Sequence, residues 1–429
     1  MGTEEKWNVP DKWYVSPYNY EKKVRSSYKN MPEKITIRDV TLQEGQHQPG
    51  VQFTLQGMLK VARALYEAGV REFKQGGGDF QVLEFIRALK KDLPDVKVSL
   101  ITQVVEYDKY RNSFDLFKKD IDIATEAGID EAVFPGYFTW SCPKSISNSL
   151  PRDALRKRFT EAAKYVRSQG IGLEFGHVDL TRGPWKDLKE FHDIGLEAGI
   201  TRIGVYDSYG CITPDGMKYI VSKFKQEYKD IPVLVHAHND FGLAEANTVG
   251  GILGGATSCD LAVNGLGDRA GYASFEEVVL QLEALYAVKT GIKLENLVKL
   301  CRVVEEVTGI KPHPFKPIAG ENVFTHESEA HAKMVLEYGV DKKYVSWAEP
   351  YSPSAVGGKR TVRFGGTSLT GDMIKLRMNE IGLDVGEKEV QEVGRRIKDV
   401  FVTQKTDISL EEFDALAREV CKLKAQEGS

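Results

Sequence analysis

The chain has 429 residues and a formal charge of −4, with 58 lysines and arginines against 62 aspartates and glutamates. That length suits one large domain with a smaller companion. The interspersed charges leave no basic block for nucleic acid and no polybasic stretch for a membrane surface. No apolar run reaches the about 18 residues of a transmembrane helix, and residues 1–30 lack the apolar segment of a secretory signal. Five dispersed cysteines, Cys142, Cys211, Cys259, Cys301 and Cys421, fit free thiols in a cytoplasmic protein. None reads as a metal ligand, and Cys142 and Cys211 read as small buried hydrophobes.

In chain order, residues 1–33 form an arm whose Trp and Tyr side chains are expected to pack on a neighbour. Strands are predicted to begin near Ile35, Val70, Val96, Glu131, Gly172, Arg202, Val233 and Cys259. Amphipathic stretches such as 55–68 and 156–168 lie between them. One phrase punctuates the series: Glu67-Ala68-Gly69-Val70, Glu126-Ala127-Gly128-Ile129, Ser168-Gln169-Gly170-Ile171, Glu197-Ala198-Gly199-Ile200 and Gly254-Gly255-Ala256-Thr257. Each ends a helix at glycine and opens a strand. Strand after helix at this spacing means a parallel sheet. Eight such units over 34–295 predict an α/β fold, a (β/α)8 TIM barrel. A doubly wound open sheet is the alternative, but Val40-Thr41-Leu42-Gln43-Glu44-Gly45 is no glycine-rich phosphate turn, and Gly76-Gly77-Gly78 reads as a tight turn.

Barrel chemistry occurs where strands end, so polar residues there are the candidates. The first end offers Asp39, Gln43, Glu44 and Gln46, the second Lys74 and Gln75, and the third Gln103. The fifth offers His177, Asp179, Thr181 and Arg182, and the sixth Asp207 and Ser208. The seventh offers His236, His238, Asn239 and Asp240, and the eighth Asn264, Asp268 and Arg269. His236 and His238 follow Val233-Leu234-Val235, and alternate side chains of a strand share a face. Two parallel imidazoles are half of a metal site. A barrel brings its first and seventh strand ends to one mouth, so Glu44 can complete a facial triad with open positions. Such a triad suits Mg²⁺, Mn²⁺, Zn²⁺ or Co²⁺ and polarises a substrate carbonyl.

These residues resemble a known family. Asp39-Val40-Thr41-Leu42-Gln43-Glu44-Gly45 resembles the first-strand motif of the isopropylmalate synthase / homocitrate synthase family, D-T-T-L-R-D/E-G. His236-Ala237-His238-Asn239-Asp240-Phe241-Gly242-Leu243-Ala244 is similar to its metal motif, and Asn264-Gly265-Leu266-Gly267-Asp268-Arg269-Ala270-Gly271 to its N-G-x-G-E-R-A-G segment. Phe324-Thr325-His326-Glu327-Ser328 with His331 resembles F-x-H-E-S-G-x-H. The resemblance covers residues 34–425. It implies condensation of acetyl-CoA with a 2-oxo acid, giving a 2-hydroxy dicarboxylate or tricarboxylate and free coenzyme A. By the same resemblance Asn264 joins the metal ligands Glu44, His236 and His238. Ser208, Thr181 and Arg182 bind the oxo acid, and His331 and Tyr351 assist the proton transfers. The family architecture also implies a homodimer.

Three positions depart from the family pattern. Gln43 stands where an arginine donates to the ketone oxygen, and a neutral amide gives a weaker bond than a charged donor. Lys74 stands where the second strand end has glutamate. A charge swap, with Lys74 supplying the missing cation, follows as an expectation. Val178 replaces a glutamate, and His177 serves instead only if a bulge turns it inward.

Lys311-Pro312-His313-Pro314-Phe315-Lys316-Pro317 reads as a stiff linker. It lies within an accessory segment, 296–365, followed by a helical subdomain, 366–429. The alternatives to a synthase are a metal-dependent lyase or aldolase of the same superfamily, or a non-catalytic homologue. Among acceptors, Lys74, His177, Arg182 and Gln103 favour one with an extra carboxylate. These are oxaloacetate, as in Re-type citrate synthesis, and 2-oxoglutarate, as in homocitrate synthesis. No nucleic-acid or membrane partner is expected.

Overall fold

The computed structural model describes residues 6–77, 80–102, 104, 114–136, 151–340, 344, 347–365 and 369–427. The chain divides into two compact units, Tyr18–Lys311 and Met1–Pro17 with Pro312–Ser429. No helix among the described residues is long and apolar enough to cross a membrane.

The larger unit is built on eight parallel strands. They are β1 (Thr36–Asp39), β2 (Glu72–Gln75), β3 (Lys97–Ile101), β4 (Glu131–Gly136), β5 (Gly172–His177), β6 (Arg202–Asp207), β7 (Val233–Ala237) and β8 (Ser258–Leu261). They close in sequence order, with β8 pairing both β7 and β1. The predicted α/β barrel is therefore the fold, and closure excludes the open sheet. Helices α1 (Leu55–Ala68), α2 (Phe80–Asp92), α3 (Phe114–Ala127), α4 (Arg152–Ser168), α5 (Trp185–Glu197), α6 (Pro214–Glu227), α7 (Ala244–Leu253) and α8 (Phe275–Tyr286) follow the strands in turn.

The repeated phrase has a physical basis. Gly69, Gly128, Gly170, Gly199 and Gly255 all adopt positive φ after a helix. At Gly69 the angle is 114°, and an added Cβ would sit 2.6 Å from the Gly291 carbonyl oxygen. Only glycine relieves both the conformational strain and the clash. At the other end of α1, the Thr54 side chain accepts a hydrogen bond from the Gly57 N–H and satisfies one free helix donor.

Outward-facing strand residues meet the helices through apolar contacts. Phe175 of β5 stacks on Phe191 of α5 at 4.7 Å, and Phe134 of β4 on Phe175 at 5.5 Å. Each such ring contributes about 1.5–3 kcal/mol by burial. His177 follows the same alternation. It faces outward, edge-on to Phe191 at 5.4 Å, with Nδ1 2.7 Å from the Val178 carbonyl oxygen. No bulge turns it inward, so His177 neither replaces the family glutamate nor supports an extra substrate carboxylate.

The barrel interior is ionic where barrels of this class usually hold branched aliphatics. Strand register sets Arg38 level with Asp260 and Glu72, and Glu174 level with Arg202. Arg38, fully buried, donates to Asp260 through Nε (2.6 Å) and to Glu174 through Nη1 (2.7 Å). The Tyr206 hydroxyl also donates to Glu174. Fully buried charges persist only when paired and hydrogen-bonded in this way.

Boundaries differ from expectation at both ends. Helix α9 (Leu297–Thr308) packs on α1 within the barrel unit, which extends to Lys311. The expected arm divides. Tyr20 and Arg25 bond the carbonyls of Ala284 and Tyr286, whereas Trp13 is buried in the smaller unit and bridges to Tyr351. In that unit α10 (Glu329–Tyr338), α11 (Gly371–Glu380), α12 (Glu387–Gln404) and α13 (Leu410–Glu427) share one core. Val335, Met378, Val393 and Phe413 all belong to it, so one core draws on both the expected 296–365 segment and the expected 366–429 subdomain.

Candidate metal centre

The site is assembled from the ends of β1, β7 and β8. After β1 the chain turns sharply because both Asp39 carboxylate oxygens hold Thr41, one from its N–H (3.1 Å) and one from its hydroxyl (2.7 Å). Such a local bond starts a single helical turn, Thr41–Glu44. Glu44 is thereby carried to the mouth. Burial raises the Asp39 carboxyl to about 7 against the lowering effect of these bonds.

Glu44, His236 and His238 meet there, each buried, with ligand atoms within 4.8 Å of one another. His236 Nε2 lies 3.7 Å from Glu44 Oε1, and His238 Nε2 3.9 Å from Glu44 Oε2. These separations are too long for hydrogen bonds. They are near the about 3.4 Å expected between two ligands 2.1 Å from a common tetrahedral centre. Glu44 Oε2, 3.6 Å from His47 Nδ1, is buried with no hydrogen-bond partner, and such an atom is costly unless something satisfies it. The donor set and this orphaned oxygen fit a divalent cation.

Electrostatics prepare these ligands. Burial alone would raise the Glu44 carboxyl, but His47, His236 and His238 outweigh it and hold it at about 2. Burial, then the His236 ring, pushes His238 down to about 4. Burial and the Lys74 ammonium lower His236, against the pull of Asp260. At neutral pH the site is one carboxylate and two neutral imidazoles, the protonation states metal ligation needs.

Behind the ligands lies a second layer that sequence reasoning missed. Asp260 Oδ2 is 2.9 Å from His236 Nδ1. A bond there assigns the proton to Nδ1 and leaves the Nε2 lone pair facing Glu44. The same carboxylate takes Arg38 and the Lys74 ammonium (3.3 Å). Burial opposes its ionisation, yet Arg38 and Lys74 hold it well below the usual carboxylate range. Tyr272 lies edge-on to both imidazoles, at 4.7 and 5.1 Å, and Tyr206 stacks on His236 at 4.4 Å. The available signal was an ionisable residue inside an otherwise apolar strand, Asp260 in Ser258-Cys259-Asp260-Leu261 and Arg38 in Ile35-Thr36-Ile37-Arg38.

The remaining candidates fall into groups. Gln43 is buried beside Gly76, and its Oε1 has no hydrogen-bond partner. Lys74 is buried but engaged inward, by Asp260 and by the Tyr206 hydroxyl at 3.1 Å. Asn264 has a left-handed backbone and donates from Nδ2 to the Cys301 carbonyl on α9. Its Oδ1 is buried with no hydrogen-bond partner. Thr181 donates to Asp207 (2.8 Å), Arg182 grips Asp179 with two bonds of 2.7 Å, and Ser208 Oγ accepts from the Asp179 N–H (2.9 Å). These three therefore share one polar rim. His331, exposed on α10, and Tyr351, edge-on to Phe324, belong to the smaller unit. Gln103 and Cys142 lie outside the described residues. Cys211 is exposed rather than buried, because its loop is drawn toward Asp207 at the rim.

Comparison with known proteins agrees with this geometry. The HMGL-like family model matches residues 34–304, and the homocitrate synthase post-HMGL domain-like model matches 318–405. A putative (R)-citramalate synthase of Methanopyrus kandleri is 36% identical over 86% of this chain and 69% of its own length. A homocitrate synthase of Methanocaldococcus jannaschii is 33% identical over 90% and 89%, and a 2-isopropylmalate synthase of the same organism 33% over 86% and 68%. Among solved structures, an HMG-CoA lyase of Bacillus subtilis superposes with a TM-score of 0.56 at 19% identity, covering 67% of this chain and 97% of that one. That last likeness establishes the barrel alone. The chain belongs to the HMGL-like family, with the members that carry the post-HMGL unit of homocitrate synthases.

Proposed function

We propose that this protein condenses the acetyl group of acetyl-CoA with the ketone of a 2-oxo acid; of the residues that favour oxaloacetate or 2-oxoglutarate as the acceptor, Arg182 at the rim is the one that still supports a second carboxylate. The observation that carries the reading is the buried Glu44–His236–His238 cluster at the barrel mouth. The matched post-HMGL unit supports a synthase over a lyase. Glu44, His236 and His238 hold the divalent metal, and Asn264, whose buried Oδ1 has no hydrogen-bond partner, joins them by resemblance. When bound, a Mg²⁺, Mn²⁺, Zn²⁺ or Co²⁺ ion withdraws electron density from the ketone and makes its carbon electrophilic.

The protein supplies the rest. In the condensation a methyl proton of acetyl-CoA passes to a base, the methyl carbon bonds to the ketone carbon, and the ketone oxygen takes up a proton. Water then cleaves the thioester and releases coenzyme A. Gln43, buried beside the metal ligand it precedes, donates its amide N–H to the oxygen as charge develops. Ser208 still has its hydroxyl hydrogen, and Thr181 and Arg182 complete a rim for the acceptor's carboxylates. Lys74 acts through Asp260 and Tyr206 as a positioning residue. His331 and Tyr351 are assigned to proton transfer by resemblance, and the homodimer rests on the same ground.

Coenzyme A release, followed with a thiol reagent across a panel of 2-oxo acids with Mn²⁺ or Mg²⁺, tests the proposal. Thiol release dependent on oxaloacetate or 2-oxoglutarate is expected. Release with pyruvate or 2-oxoisovalerate alone would overturn the acceptor assignment, and no release with any acceptor would overturn the activity.

A further inference from the structure

The opposite mouth of the barrel, where the strands begin, opens into a cavity of about 610 Å³. Its walls carry three acidic and three basic side chains, so charge count alone predicts nothing. Their partners decide. Glu72 accepts from Arg202 Nη2 at 3.0 Å, and Glu131 accepts from Ser99 at 2.8 Å and lies 3.5 Å from Arg202 Nε. Asp130 accepts from Lys90 and from the Val98 N–H, both at 2.7 Å. The acids are therefore satisfied.

The groups left over can all donate. Arg202 Nη1 and Ser258 Oγ are buried atoms with no hydrogen-bond partner in the protein. Ser258 is only 4% exposed and lines the cavity on the inward face it shares with Asp260. Lys34 and Lys97 stand at the rim, exposed, and neither side chain is paired among the described residues. A buried guanidinium N–H, a buried hydroxyl and two free ammonium groups around one cavity match an oxyanion, because charge-assisted bonds to such groups are the strong ones.

We propose that the N-terminal mouth of the barrel binds a small oxyanion, carboxylate or phosphate, through Arg202, Ser258, Lys34 and Lys97. The site lies at the other end of the strands from the metal ligands and does not depend on the proposed activity.

Isothermal titration of the full chain with inorganic phosphate and, separately, with succinate tests this. One-to-one binding of at least one probe is expected, with a dissociation constant below about 5 mM. Phosphate alone, succinate alone or both distinguishes the kind of anion. The Lys34→Ala/Lys97→Ala pair and Ser258→Ala are each expected to weaken binding about tenfold, while Arg182→Ala, at the opposite mouth, leaves it unchanged. The lysines are exposed and the serine hydroxyl unpartnered, so these variants should fold, which a thermal melt verifies. No saturable binding of either probe, or binding that is lost in Arg182→Ala and kept in the lysine pair, would overturn the proposal.

Discussion

Replacing Asp260 by asparagine should weaken metal binding although Asp260 is no ligand. The carboxylate sits 2.9 Å from His236 Nδ1 and fixes which nitrogen faces Glu44. Loss of such an outer partner typically costs 10–100-fold in metal affinity, or about 1.4–2.7 kcal/mol. A second effect must be separated from it. Asp260 also neutralises Arg38 and Lys74, and breaking a buried pair costs about 3–5 kcal/mol of stability. Arg38 keeps its bonds to Glu174, so a loss near the lower bound is expected. Glu174→Gln supplies the control, since it disturbs Arg38 comparably but does not touch His236. Metal dissociation constants from chelator competition, with urea unfolding of the metal-free proteins, give both quantities. Asp260→Asn should lose affinity and stability, and Glu174→Gln stability alone. A folded Asp260→Asn protein that binds metal within about twofold of the parent would refute the argument.

Other outcomes follow from the same geometry. Glu44→Gln removes the only carboxylate of the cluster and should weaken the metal by more than the about 100-fold upper bound for an outer partner; equal binding would remove Glu44 from the site. Lys74→Met should keep coenzyme A release within about tenfold at saturating metal, whereas a fall of 10²–10³, the usual loss on deleting a direct oxyanion donor, would restore the charge swap. His192 is fully buried, and burial above all pushes its imidazole down to about 3. A depressed histidine stabilises the fold above its unfolded value near 6.5, and that contribution is lost as pH falls toward 3. The stability difference between parent and His192→Leu should therefore shift by about 2 kcal/mol between pH 6.5 and 5, read by urea unfolding; a pH-independent difference would contradict it. Gly69→Ala should destabilise markedly, because φ of 114° and the Gly291 carbonyl at 2.6 Å leave no room for a methyl group; a melting temperature equal to the parent's would refute this.

The barrel was legible because its signals are local. A glycine after each helix and an apolar run after each glycine need no knowledge of partners, and Glu44, His236 and His238 could be joined because barrel closure dictates where strand ends meet. The interior was illegible for the opposite reason. Arg38 finds Glu174 and Asp260 far away in sequence, and nothing adjacent to it announces either. Lys74 looked like a mouth residue because it sits near a strand end; its side chain instead reaches inward to Asp260 and Tyr206. His177 misled because a histidine at a strand end suggests chemistry, while strict alternation turned it toward the Phe191 ring.

The ionic interior also bears on how this barrel can change over time. An aliphatic core drifts in small steps, since one methyl group gained or lost costs little and a neighbour adjusts. Here Arg38 and Lys74 face Glu174 and Asp260, and loss of one leaves its partners short of counter-charge in a layer shut away from water. Substitutions in this layer are therefore tied together: a descendant that gives up an acid must give up a base with it, and sequences of this lineage should change these positions in matched pairs or leave them alone.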